Sequence, residues 1–178
     1  MHSSSKDRLI DIRKAVQSDG PVVLKLIRAL ADYEKLSPPD EAARKRLLVD
    51  AFSDRPRIEI ILAEVNEGGP DESRATAVGY AIVFETYSSF LALPTLYLED
   101  IFVLEGYRKQ RIGYSLFQFC VQEAHRRGCG RMEWTVLNWN KPSIDFYERQ
   151  GAKHMGEWLF YRLTADQFVT RESARKTR

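Results

Sequence analysis

The stretch Tyr97–Ser115 constrains the fold most, because an apolar strand that carries two carboxylates runs there into a basic turn that opens a helix. A short β-prone run up to Val103, ended by Glu105-Gly106, indicates the strand. The helix is indicated by apolar residues at steps of three and four: Ile112, Leu116, Phe119, Cys120 and Ala124. Arginines fill its last turn, and Gly128 can take the left-handed conformation that ends a helix.

The turn between this strand and this helix has the layout of a phosphate-binding site. Backbone N–H groups at the start of a helix have no partner within the helix and carry partial positive charge. An anionic diphosphate is therefore both hydrogen-bonded and electrostatically favoured there. Arg108, Lys109 and Arg111 add three full positive charges at this point. The sequence predicts a strand, an anion-binding turn and a helix in succession.

The turn resembles the pyrophosphate loop of the GNAT acetyltransferases, in which Arg or Gln is followed by two residues, Gly, one residue, and Gly or Ala. This chain has Arg108-Lys109-Gln110-Arg111-Ile112-Gly113, with arginine at the first glycine position. An L-residue can present its N–H there if its φ is negative, and the guanidinium can itself meet a phosphate. The resemblance implies that acetyl-CoA binds here, through Arg108, Lys109, Gln110, Arg111, Ile112, Gly113, Tyr114 and Ser115.

A second block, residues 136–152, is similar to the asparagine and tyrosine segment of the same family. Asn140 can cap a helix, Pro142 suits its first turn, and Gly151 ends it. The resemblance places Tyr147 on this helix facing the cofactor, with Phe146 serving the core. It also implies acetyl-CoA contacts by Asn138, Asn140, Ser143 and Arg149. The two asparagines can equally be turn formers, and Arg149 can equally cap a solvated helix face.

Within this family, the chain is most like the diamine (spermidine/spermine) and thialysine acetyltransferases. The likeness spans residues 9–163 and rests on Tyr97-Leu98-Glu99-Asp100, on Phe146-Tyr147 with the following Gly-Ala, and on residues 26–37. It implies an α/β fold, the GNAT acyl-CoA N-acyltransferase fold, with a central mixed, mostly antiparallel twisted sheet flanked by helices. It also implies a homodimer.

The resemblance assigns two catalytic residues. Only the neutral amine attacks a thioester, and lysine-type amines have pKa values near ~10.4, so a base is needed. Glu99 matches the family base, and burial beside Asp100 would raise its pKa. Tyr147 matches the acid that protonates the CoA thiolate. Alone, Glu99 reads as a solvated or ion-paired carboxylate and Tyr147 as a core aromatic. Backbone groups of Ile101, Phe102 and Val103 would hold the pantetheine and the oxyanion.

The acceptor is the least determined part of the function. Glu34, Tyr87, Phe90 and Asp100 match positions near the amine pocket of the diamine subgroup, and acidic and aromatic groups suit a cationic amine. The long acidic run of that subgroup after Tyr33-Glu34 is missing here, which favours a lysine-like or other small amine over a polyamine. A protein N-acetyltransferase and a non-catalytic acyl-CoA sensor are the alternatives.

Length and charge agree with one enzyme domain. The chain has 178 residues and a net charge of +2 from 27 basic and 25 acidic residues, which does not favour binding to nucleic acid or to a membrane surface. We predict a flexible N-terminus at 1–8, one domain over 9–168, and a mobile tail at 169–178. Two cysteines and three scattered histidines indicate no disulfide and no metal. A cytoplasmic location follows from the lack of a signal peptide.

Hydrophobic periodicity predicts the remaining elements. Helices are expected from Gly20 to about Glu34 and from Asp40 to about Phe52. Strands are expected around Ile10 and over residues 58–65, 75–87, 131–136 and 156–163, with a hairpin loop at 66–71.

Overall fold

The computed structural model describes residues 9–66 and 75–168. Its strands are β1 (Ile10–Lys14), β2 (Glu59–Asn66), β3 (Ala75–Ser88), β4 (Leu93–Val103) and β5 (Arg131–Glu133). Its helices are α1 (Gly20–Glu34), α2 (Glu41–Phe52), α3 (Ile112–Arg126) and α4 (Lys141–Arg149), with 3-10 turns at Gln17–Asp19, Glu105–Tyr107 and Ala165–Gln167. The predicted flexible N-terminus, the predicted tail and most of the predicted loop at 66–71 lie outside the described residues.

The chain divides into two units, one ending at Thr135 and one beginning at Val136. The first contains all five strands and α1 to α3, and the second contains α4. The assignment of one domain to residues 9–168 stays a prediction.

The five strands form one sheet in the order β1-β2-β3-β4-β5. The first four pair antiparallel, and β5 pairs parallel to β4, through Thr95–Tyr97 and Arg131–Glu133. The predicted mixed, mostly antiparallel sheet flanked by helices is confirmed.

Side chains on the two faces of this sheet pack against different helices. On one face, Tyr80 and Phe102 join Leu26 of α1 in the main hydrophobic cluster. On the other face, a Cβ added at Gly79 would lie 3.3 Å from Leu116 Cδ1 of α3. The same Cβ would lie 2.7 Å from the Phe102 carbonyl oxygen, so only glycine fits where β3 and β4 approach this closely. Alternation along the strands therefore separates an α1 side from an α3 side.

A β-bulge interrupts this alternation in β4. Ile82 pairs with Asp100, but the next residue of β3, Val83, pairs with Leu98, so Glu99 is an extra residue. The bulge puts Asp100 on the α1 side with Ile82 and Phe102, while Leu98 lies on the α3 side with Val83. The pairing with β5 stops at Tyr97, just before this bulge.

Two strand predictions are corrected. The predicted strand 131–136 ends at Glu133, because β4 offers β5 a partner only as far as Tyr97. The predicted strand 156–163 is not a strand, and its side chains are exposed, 74% for Trp158 and 82% for Tyr161. A β-prone apolar run forms a strand only where a neighbouring backbone completes the ladder, and in the described part of the chain this run joins none.

The C-terminal end of α3 is fixed to the sheet by ion pairs. Glu123 accepts from Arg127 at 2.8 Å and lies 3.2 Å from Lys14 Nζ of β1. Arg127 also reaches Glu59 of β2 at 2.7 Å. The side chains of Glu123 and Arg127 are only 13% and 10% exposed. Hydrogen bonds from Arg126 above all, and then from Arg127 and Lys14, lower the pKa of Glu123 despite its burial.

We expect Glu123→Gln to lower the free energy of unfolding by about 1–2 kcal/mol at pH 7, because it removes a carboxylate with three cationic partners. Since folding lowers the pKa of Glu123, its stabilisation is present above its ordinary pKa of 4.5 and is lost as pH falls below that value. Urea unfolding at pH 7 and at acid pH would measure both effects. Glu133→Gln, which breaks an exposed pair with Arg131, is the control and should change stability by less than about 0.5 kcal/mol. Equal losses in both variants would contradict the prediction.

Candidate functional site

The start of α3 presents unpaired backbone donors, as the sequence predicts. The first helical hydrogen bond runs from Ser115 N–H to the Arg111 carbonyl oxygen at 2.9 Å. The N–H groups of Ile112, Gly113 and Tyr114 precede it, and Arg111 at the N-cap provides no side-chain hydrogen bond. The helix dipole adds partial positive charge at this end of α3. Arg111, the N-cap residue, is exposed in the first unit. This geometry can hold an anion by backbone N–H groups.

The backbone of the loop differs from the expected one. Arg111 has φ +65° and ψ +1°, the left-handed conformation, so the condition of a negative φ at this position is not met. Glycine, which the family pattern has at this position, adopts this conformation without strain. Lys109 is also left-handed, with φ +62°. The loop therefore holds two L-residues at positive φ beside the candidate anion site.

The cations of this loop have different roles. Arg108 is half-buried: its Nε donates to the Val103 carbonyl oxygen at 2.9 Å, and its guanidinium carbon lies 4.5 Å from the centroid of the Tyr33 ring. Lys109 and Arg111 are exposed, and the Arg111 guanidinium lies 5.0 Å from the Tyr114 ring centroid. Two of the three predicted cations are thus available to a ligand, whereas Arg108 secures the end of β4.

Smaller features of the loop also bear on ligand binding. The side chain of Gln110 donates to the Gly106 carbonyl oxygen at 3.2 Å, which braces the turn. A Cβ at Gly113 would meet only Val103 Cγ2, at 3.7 Å, so alanine fits there as it does in the family pattern. The Ile112 side chain is buried, so Ile112 can contact a ligand only through its backbone.

The edge of β4 beyond the bulge is open on the β5 side. From Leu98 to Val103, β4 pairs only with β3 among the described residues. Phe102 and Val103 are buried and Ile101 is half-buried, so their side chains belong to the sheet. A ligand lying along this edge would meet backbone groups, as predicted for these three residues.

Two half-buried carboxylates, Glu34 and Asp100, influence each other and form an acidic cluster. The Tyr80 hydroxyl donates to Asp100 Oδ2 at 3.0 Å, and Tyr80 is fully buried. Burial raises the pKa of Asp100 to about 6, and the charges of Glu99 and Glu34 add to this, whereas the Tyr80 hydrogen bond opposes it. Burial also raises the pKa of Glu34. Glu34 and Asp100, two predicted substrate residues, therefore repel each other, and a bound cation would reduce this repulsion.

The predicted burial of Glu99 is wrong. Glu99, the extra residue of the bulge, is exposed, whereas its neighbour Asp100 is half-buried. Its predicted role as the base stays a prediction.

The other two predicted substrate residues lie elsewhere in the first unit. Tyr87 pairs with Pro94 and is 67% exposed, and Phe90 is 97% exposed at the tip of the β3–β4 hairpin. Pro94 is six residues from Asp100 along β4, which places the tip about 20 Å from the acidic cluster at ~3.3 Å per residue. Tyr87 and Phe90 are thus not brought together with Glu34 and Asp100 in this chain.

The second unit contains the remaining predicted residues. Asn140 caps α4 as predicted, with its Oδ1 accepting from Ser143 N–H at 3.4 Å. Gly151 has φ +86° beyond the helix end. Tyr147 is buried, whereas Phe146, expected in the core, is half-buried with its ring centroid 5.5 Å from that of Tyr147. Asn138 and Arg149 are exposed. The roles assigned to these residues remain predictions.

Sequence reasoning missed Tyr80. A tyrosine within the otherwise small and aliphatic run Val78–Val83 signals a phenol that needs a partner, since buried tyrosine hydroxyls are hydrogen-bonded. That partner, Asp100, lies on another strand, so only the register between β3 and β4 could identify it.

No helix among the described residues is long and apolar enough to cross a membrane. No cluster of three or more His, Cys, Asp or Glu among them could hold a metal ion.

Comparison with known proteins identifies the family. The model of the acetyltransferase (GNAT) family matches residues 26–152. A thialysine N-epsilon-acetyltransferase of Mus musculus is 32% identical over 158 residues, covering 87% of this chain and 92% of the relative. The L-ornithine N5-acetyltransferase NATA1 of Arabidopsis thaliana is 30% identical over 192 residues, covering 87% and 84%.

Solved structures agree on the fold. The crystal structure of a ribosomal-protein-alanine N-acetyltransferase from Brucella melitensis biovar Abortus 2308 matches with a TM-score of 0.65 at 20% identity, covering 88% of this chain and 99% of that one. The predicted GNAT family is confirmed, and so is the predicted likeness to the diamine (spermidine/spermine) and thialysine acetyltransferases. The protein belongs to the GNAT family and is an N-acetyltransferase.

Proposed function

We propose that this protein transfers the acetyl group of acetyl-CoA to a primary amine of a small cationic acceptor, by direct attack in a ternary complex. One observation carries the proposal: β4 and the loop after it place the half-buried carboxylate of Asp100 and an uncapped helix start on one continuous segment. The first suits an ammonium group and the second suits a diphosphate.

Acetyl-CoA would bind with its pyrophosphate at the start of α3 and its pantetheine along the open edge of β4. The N–H groups of Ile112, Gly113 and Tyr114, together with exposed Lys109 and Arg111, match the anionic part. Backbone groups around Ile101 match the amide-rich pantetheine, since an unpaired strand edge offers donors and acceptors. Asn138, Asn140, Ser143 and Arg149 would add further contacts from the second unit.

The acceptor is proposed to be a lysine-like amine, a thialysine-like amine or a polyamine. The names of the two relatives describe acetylation of terminal side-chain amines of amino acids, thialysine and ornithine. The pair Glu34 and Asp100 suits such a cation, and the missing acidic run after Glu34 favours one terminal ammonium over a longer polycation. A protein N-acetyltransferase and an acyl-CoA sensor are the alternatives.

In the proposed reaction, Glu99 accepts a proton from the bound ammonium through one water molecule. The neutral amine nitrogen then attacks the thioester carbonyl carbon to give a tetrahedral intermediate. The intermediate collapses as the carbon–sulfur bond breaks, and Tyr147 gives its proton to the departing CoA thiolate. The attacking nitrogen loses a second proton as the amide forms, and this proton restores Tyr147 through solvent. Glu99 releases the first proton to solvent, so the products are an N-acetyl amine, CoA and one proton.

We expect wild-type protein to release CoA thiol with one member of a panel of thialysine, lysine, spermidine, putrescine and an amino-terminal peptide. Tyr147→Phe should lower kcat by about 100-fold with little change in the KM for acetyl-CoA, because only a proton donor is removed. Tyr161→Phe, at an 82% exposed position of the same unit, is the control and should behave as wild type. Acetylation of the peptide alone would point to the protein N-acetyltransferase, and acetyl-CoA binding without turnover would point to the sensor.

Substitutions at Arg111 test the role of the loop while leaving the proposed catalytic residues unchanged. Arg111→Gly should raise the free energy of unfolding by about 0.5–1 kcal/mol, because glycine adopts the positive φ without steric cost. Arg111→Ala keeps the backbone strain and removes the guanidinium. Comparing the two variants therefore separates the effect of the backbone strain on stability from the effect of the charge on binding. Both should bind acetyl-CoA a few-fold more weakly at low salt, with a smaller difference at high salt, if the guanidinium meets a phosphate. Calorimetric titration and thermal unfolding measure the two effects, and unchanged affinity in Arg111→Ala would rule out the phosphate contact.

We further propose a cytoplasmic homodimer. Four apolar side chains at the β3–β4 hairpin are exposed in the single chain: Tyr87, Phe90, Leu91 and Leu93. Exposed apolar patches on one loop suit burial against another protein surface.

Light scattering should therefore give about twice the chain mass of 20.6 kDa. Phe90→Ser should shift the equilibrium toward the single-chain mass, because Phe90 is 97% exposed in the isolated chain and its burial would be lost. A wild-type mass equal to one chain would contradict the homodimer.

A further inference from the structure

We propose that Tyr80 is a positioning residue for amine acetylation: its hydroxyl holds one oxygen of Asp100, so that this carboxylate is fixed on the α1 side of the sheet and ready to bind the ammonium group of the acceptor. The inference rests on the proposed function and assigns a role to a residue that the motifs of the chain do not include.

The geometry of this pair is built by the sheet. Tyr80 of β3 lies beside Phe102 of β4, and Ile82 lies beside Asp100, so Tyr80 and Asp100 are diagonal neighbours on one face. The Tyr80 ring is fully buried and lies 6.4 Å from the Phe102 ring, centroid to centroid. The hydroxyl then reaches Asp100 Oδ2 at 3.0 Å. A ring packed on all sides offers its hydroxyl in one place, so the carboxylate it holds is also fixed.

The charges around Asp100 explain why a fixed donor is needed. Glu34 of α1 and Glu99 of β4 both repel its negative charge. On the same side, the nearest cation of the loop, Arg108, is engaged by the Val103 carbonyl oxygen and lies over the Tyr33 and Phe102 rings. The Tyr80 hydrogen bond is the contribution that favours ionised Asp100. Burial and the Asp100 charge raise the pKa of Tyr80, so the phenol stays protonated and remains a donor.

The pair leaves Asp100 able to bind a cation. An ionised carboxylate has two oxygens and about four acceptor positions, and one phenol occupies one of them. An ammonium group has three donors and can bind the rest of Asp100 together with Glu34. Asp100 binds the ammonium only when ionised, so amine binding weakens as pH falls through the pKa of Asp100.

Tyr80→Phe tests this role, because it removes one hydroxyl and keeps the buried ring. Without the donor to its charged form, the pKa of Asp100 should rise above about 6, and the acid limb of kcat/KM for the amine should move up by as much as about one pH unit. At pH 6.5 the kcat/KM of the variant should be up to about threefold below that of wild type, with near wild-type activity at pH 8.5 and an unchanged KM for acetyl-CoA. Tyr97→Phe, the same change on β4, is the control and should leave the profile unmoved.

Two further measurements separate positioning from a structural effect. In an Asp100→Asn background, Tyr80→Phe should have no additional effect on kcat/KM, since the role of Tyr80 runs through Asp100. The Asp100 pKa should also be higher in Tyr80→Phe than in wild type by carbon-13 NMR of the carboxyl group, which needs no turnover. Three results would overturn this inference and leave the proposed function intact. The first is an equal Asp100 pKa in wild type and in an active Tyr80→Phe variant. The others are a loss of kcat/KM in Tyr80→Phe that is the same at every pH, and a loss of kcat/KM that persists in the Asp100→Asn background. A wild-type protein that acetylates no amine would overturn the proposed function together with it.

Discussion

The β-bulge at Glu99 is the constraint on which the rest of the site depends. One extra residue in β4 shifts the alternation of its side chains, so that Leu98 lies on the α3 side of the sheet and Asp100 on the α1 side. The β4–β5 pairing ends at Tyr97, two residues before Glu99, so the backbone groups of β4 beyond Tyr97 have no partner in β5. If Leu98, Glu99 and Asp100 alternated regularly, Leu98 and Asp100 would lie on the same face of the sheet. The bulge that separates them and the end of the β4–β5 pairing lie at neighbouring positions of β4.

The helices could be predicted from the sequence because their signals are local. Asp40 and Asn140 cap α2 and α4, and Gly128 and Gly151 take positive φ beyond α3 and α4. Strand pairing depends on distant residues, and two of the strand predictions failed for this reason. The run 156–163 is rich in β-prone apolar residues but joins no ladder among the described residues, and β5 is three residues long because its pairing with β4 ends at Tyr97.

The candidate site divides in the same way. The anion-binding turn could be predicted because helix start, glycine and cations are adjacent in sequence, whereas the positive φ of Arg111 depends on how the chain enters α3. Tyr80 was missed because its significance lies in the register of two strands. Tyr87 and Phe90 match an amine pocket by position in the sequence, yet the hairpin carries them to its exposed tip.

The half-buried carboxylate of Asp100 also gives the protein a proton to release. Near pH 6 this group is protonated in a large fraction of molecules, because burial has raised its pKa into that range. A cation that binds beside it favours the ionised form and expels the proton into the solvent. The heat of such binding then contains the ionisation heat of whichever buffer takes up the proton. Cation capture and proton release are thus one thermodynamic event at this position, completed before any acyl group moves.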